Sequence, residues 1–147
     1  MTAFILIFLL VFGVIVGNLL WLRPGAQERA LIAQRARASA SGLRVLLRPA
    51  PEWLSLPAGQ RLVGQYHLTQ ASRPEAQGRW RWHEGLGNWQ PVENPDAWLK
   101  PAPWPTPAPA GWLGVDVRPQ EVVLYWREDG RSDAIDQLLT HLRQVSA

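Results

Sequence analysis

WLGVDVRPQEVVLYWREDG, residues 112–130, and the DAIDQLLTHLRQV that follows at 133–145 decide the architecture. Residues 112–117 and 120–126 read as two strands either side of Arg118-Pro119, with Val122, Leu124 and Trp126 on one face, and Arg127-Glu128-Asp129-Gly130 closes the second. Beyond it, Ile135, Leu138, Leu139, Leu142 and Val145 recur at helical spacing behind Asp133, which has the character of an N-cap. An apolar stripe of that width covers one face of a sheet. The fold class expected is therefore α+β, a small antiparallel sheet covered by a C-terminal helix.

Upstream, the strand period continues. Residues 43–48 (LRVLLR) form a short run ended by Pro49 and Pro51, and 61–69 alternates Leu62, Gly64, Tyr66 and Leu68 with Val63, Gln65 and His67. Residues 79–92 read as a hairpin in which RWRWH is turned by EGLGN. Between it and the 112–117 strand, seven prolines from Pro91 to Pro109 rule out regular pairing over a Pro-rich loop at 91–110 and favour an extended path. A stiff surface loop pinned to the domain by Trp98 and Trp104 is the default there. The same two tryptophans are the candidates for a partner surface.

At the other end, residues 3–22 (AFILIFLLVFGVIVGNLLWL) carry no charge and one polar side chain, Asn18. That is the length needed to cross a hydrocarbon core of about 30 Å as a helix. Met1-Thr2 supplies no basic n-region, the run is longer than a secretory h-region, and the small residue beyond it, Ala26, has Pro24 two places before it. A retained transmembrane helix over 1–22 is expected, with a cleaved signal as the competing reading.

Six arginines and one glutamate follow in residues 23–48, whereas residues 49–147 carry nine basic and eleven acidic side chains. The basicity thus belongs to the membrane junction, and binding of anionic lipid is expected in place of nucleic acid. The same arginines place the N-terminus outside and the body in the cytoplasm. Residues 23–42 form an Arg-rich juxtamembrane helix, a solvated or lipid-lying stalk stopped by Gly42, and residues 43–147 form the domain. Trp21, Arg23, Arg29, Arg35 and Arg37 are the expected contacts to the membrane surface.

The chemistry-bearing residues are sparse. His67, His83 and His141 have no metal-ligand spacing, cysteine is missing from the sequence, and no nucleophile, phosphate-binding or paired-carboxylate pattern occurs. No catalytic residue, metal or cofactor is expected. Nine tryptophans in so short a chain are read first as core filling and second as partner surface.

In layout, the chain resembles YajC, the small accessory subunit of the bacterial preprotein translocase, over roughly its first 40 residues. It is also similar to single-span inner-membrane proteins of gammaproteobacteria, through Leu22-Arg23-Pro24, Glu28-Arg29, Arg37-Ala38, Gly42-Leu43 and Val45, and through Val123, Tyr125-Trp126, Glu128 and Gly130. An anchor, a domain and no recognisable chemistry point to a non-catalytic accessory or scaffold protein of the inner membrane, with another inner-membrane protein or complex as its partner; the layout resemblance implies as the alternative an accessory subunit of the preprotein translocase, and a small membrane-bound enzyme or ligand-binding module is the distant third.

Overall fold

The computed structural model of the chain describes residues 1–70, 77–93, 104–130 and 133–146; at Asp133, Val145 and Ser146 it describes the backbone alone. Nine elements follow one another among them: helix α1 (Thr2–Trp21), helix α2 (Ala26–Ala40), strands β1 (Arg44–Pro49), β2 (Leu62–Thr69), β3 (Gly78–His83), β4 (Asn88–Pro91), β5 (Trp112–Val117) and β6 (Glu121–Trp126), and helix α3 (Asp133–Ser146). The strands form one sheet in the order β1-β2-β6-β5-β3-β4, every neighbouring pair antiparallel. The expected α+β architecture is observed. β1 runs one residue further than expected, because Pro49 pairs with Leu62 at the sheet edge, where a missing N–H breaks no central ladder.

Register places the apolar residues. Val122, Leu124 and Trp126 of β6 share a face with Tyr66 and Leu68 of β2, with Trp80 and Trp82 of β3 and with Trp89 of β4. Ile135, Leu138, Leu139 and Leu142 of α3 are buried in the same cluster. Between Trp112 and Gly114 the β5 ladder slips by one residue, a bulge that keeps Trp112 on this face with Val115 and Val117. The opposite face holds a smaller cluster of Leu54, Val63, Val123 and Tyr125, on which Trp53 and Leu56 pack, the Trp53 ring edge-on to Tyr125 at 5.1 Å. The sheet is thus covered by helix on one side and by the 50–56 segment on part of the other.

The tryptophans fill the core. Trp80, Trp89, Trp104, Trp112 and Trp126 are all buried, while Trp21 at the end of α1 is exposed. Two indoles also fasten the proline strap: Trp89 Nε1 donates to the Pro105 carbonyl at 3.0 Å and Trp126 Nε1 to that of Ala110 at 3.2 Å. Chain reversal at Gly111 (φ +82°) lets its carbonyl accept the Arg127 N–H at 2.7 Å. A Cβ there would lie 2.5 Å from the Arg127 carbonyl oxygen. Gly111→Ala is therefore expected to cost about 1–3 kcal/mol through a strained backbone and a displaced strap, read as a lowered urea midpoint.

Candidate functional site

α1 is long and apolar enough to cross a membrane, and no part of it is buried against the rest of the chain; a signal sequence passes the same test of length and composition. Residues 22–25 then lead into α2. That helix ends in a Schellman motif, with the Leu43 N–H donating to Ala38 O and the Gly42 N–H to Ser39 O (both 3.1 Å), and Gly42 at φ +91° supplies the left-handed residue. Ala38 and Leu43 are buried in the main core, as that motif favours.

The membrane-contact residues named from the sequence divide at this point. Trp21 at the end of α1, Arg23 in the connection and Arg29 on α2 are exposed. Arg35 and Arg37 instead point at the domain. Arg35 donates to Glu128 through Nε (2.8 Å) and again through Nη2, a bidentate pair, and Arg37 donates to Asp136 of α3 at 2.7 Å. Both therefore have partners within the domain, and the solvated stalk is corrected: α2 is packed on the sheet edge and α3, with Gln34 and Ala38 fully buried. The domain accordingly takes in α2, and its boundary moves upstream from residue 43.

The clasp at Glu128 is built from both sides. Tyr66 of β2, itself buried, donates its hydroxyl to Glu128 Oε1 at 2.7 Å, so one carboxylate accepts from a sheet residue and a helix residue together. Gly64 makes room for it, since a Cβ there would lie 3.0 Å from the Glu128 side chain. Two residues on, a Cβ at Gly130 would lie 3.0 Å from that of Ala30, so the chain after β6 presses directly on α2. The hydrogen bond to Glu128 raises the Arg35 pKa against the opposing effect of burial. The buried Gln34 carboxamide makes no hydrogen bond of good geometry, but lies near enough to the Tyr66 hydroxyl to influence it.

Burial, and then the bond to Glu128, push the Tyr66 hydroxyl far above its ordinary value near 10. A raised pKa stabilises the fold below the unfolded-state value, and that contribution is lost as pH climbs towards the folded-state one. Stability measured from about pH 8 to about pH 12 should therefore fall above about pH 10, and Tyr66→Phe should remove part of that fall.

Trp104 is no partner surface. It is buried, edge-on to Trp80 with ring centroids 6.1 Å apart, and so pins the strap; Trp98 lies outside the described residues. His67 and His83 are not neighbours, because β6 and β5 lie between their strands. His67 Nδ1 meets Glu121 at 2.7 Å, while His83 Nδ1 accepts the Leu86 N–H at 3.1 Å. Among the described residues no group of three or more His, Cys, Asp or Glu is placed to hold a metal.

A feature not foreseen from the sequence is a cleft of about 480 Å³ where the β3–β4 turn faces the strap, lined by Arg81, Trp82, His83, Glu84, residues 108–113, Arg127 and residues 55–57. Its walls come from four separate segments, which only the sheet order brings together. Compared with protein-family models, with curated proteins and with solved structures, the chain finds no match.

Proposed function

We propose that the chain is a non-catalytic, single-pass accessory protein of the bacterial inner membrane, N-terminus outside, which holds its α+β domain at the cytoplasmic surface. The observation that carries this reading is the short connection from α1 to a helix that is locked to the sheet. Four residues separate α1 from α2, and α2 is locked to the domain at Glu128, Asp136 and the buried Ala38. A domain so mounted stays beside the bilayer, where a partner in the membrane meets it in a restricted orientation. Arg23, Arg29, Arg35 and Arg37 support the orientation, since the charge bias acts as the span inserts, before the clasp has formed. With Arg35 and Arg37 neutralised by carboxylates, little basic surface is left on α2 for nucleic acid.

Reporter fusions at Ala147 test the topology: a cytoplasmic reporter should be active and a periplasmic one silent, and the reverse pattern overturns the orientation. Purification of the tagged chain in mild detergent tests the accessory role. Another inner-membrane protein is expected in stoichiometric amount, and translocase subunits in that position would give the layout resemblance its meaning. A chain that emerges alone contradicts the reading.

A further inference from the structure

We infer that the cleft between the β3–β4 turn and the proline strap binds an extended, acidic peptide segment of a partner protein. The inference rests on the accessory reading and deepens it by giving the partner's chemistry. A volume of about 480 Å³ lies in the range of ordinary ligand sites. Its charged lining is Arg81, Arg127 and Glu84, a cationic excess in a region, residues 49–147, that is net acidic.

The two arginines differ from others in the domain. Arg35, Arg37, Arg79 and Arg118 each pair with a carboxylate, whereas Arg81 and Arg127 pair with none among the described residues. Arg81 touches only neutral acceptors, the Trp53 carbonyl and Ser55 Oγ, each at 3.4 Å from the same Nη1. Those long contacts orient the guanidinium and leave the donors on Nε and Nη2 for a carboxylate, which a guanidinium grips with two parallel bonds. His83 adds a donor, because its Nδ1 accepts the Leu86 N–H and the neutral ring then carries its proton on Nε2.

The remaining lining selects peptide over phosphate. Glu84 can accept a peptide N–H, which phosphate lacks, and Leu56, Pro57, Trp82, Pro109 and Leu113 provide apolar wall for backbone and side-chain carbon. The frame is preformed, since the strap is held by the bonds from Trp89, Trp126 and the Arg127 N–H, so little ordering accompanies binding.

The test uses the full chain in nanodiscs of zwitterionic lipid and a displayed library of random heptapeptides. Asp and Glu should be enriched, and a synthetic enriched peptide should lose about tenfold or more in affinity on Arg81→Gln/Arg127→Gln and weaken with added salt. Glu84→Gln, which removes the like charge, should bind as well or better and keeps the test informative should the double variant misfold. No acidic enrichment, equal binding by the folded double variant, or weaker binding by Glu84→Gln overturns the inference. So does displacement of the labelled peptide by inorganic phosphate at lower concentration than by the same peptide unlabelled, which would make this a phosphate site. Acidic peptide bound by a chain that purifies alone would sink the accessory role and leave the site standing; a co-purifying partner with no acidic preference would do the opposite.

Discussion

Leu138→Ala and Leu142→Ala are each expected to cost about 2–5 kcal/mol, the range for emptying a leucine-sized volume in a core that relaxes only partly. Both side chains are fully buried against the sheet, in the cluster that holds Trp126, Leu124 and Tyr66. The lower end of the range applies if neighbouring tryptophans settle into the gap, the upper end if the cavity stays open. Urea unfolding of the full chain in detergent micelles, followed through tryptophan fluorescence, measures the loss. Wild-type midpoints in both variants would remove α3 from the core.

Glu128→Ala is expected to cost about 3 kcal/mol. Removing one partner of a buried ion pair ordinarily costs about 3–5 kcal/mol, and the lower end applies because the Arg35 side chain is 34% exposed and can turn to water. The Glu128 side chain itself is 7% exposed, and its loss also strips the buried Tyr66 hydroxyl of its acceptor. Asp136→Ala is the contrast: its bridge to Arg37 is exposed on both sides, 48% and 60%, so it should change stability by less than about 1 kcal/mol. If both variants unfolded at the same denaturant concentration as wild type, the clasp would contribute nothing to holding α2.

The sheet and α3 were legible in sequence because their signals are local. Val122-Leu124-Trp126 and Ile135-Leu138-Leu139-Leu142 carry their periods within single elements, and the structure buries all seven. The role of α2 was hidden for the opposite reason. Its packed face is Ala30, Gln34 and Ala38 with Arg35 at the rim, small and polar residues that read as a solvated surface. What makes that face an interface is Glu128, 93 residues away in sequence from Arg35. No periodicity reports such a pairing.

Trp104 was hidden by its neighbours. Proline on either side marks an exposed path, and only the place of Trp80 on β3 shows the pocket the indole fills. The cleft was the least legible feature. Arg81 reads as a polar position of an alternating strand and Arg127 as part of the segment that closes another, and the sheet order that brings them to one cleft leaves no mark in the composition.

α2 is a fixed part of the domain, clasped at Glu128 and Asp136 and buried at Ala38. The natural sequence has no cysteine, which makes a pair of spin labels straightforward: Ala36→Cys on the exposed side of α2 and Leu86→Cys at the exposed tip of the β3–β4 hairpin. Pulsed electron resonance in nanodiscs should give one narrow distance distribution for the otherwise wild-type chain, broadening when Glu128→Ala is added. A broad distribution without that change would show α2 swinging as a free stalk and would contradict the account.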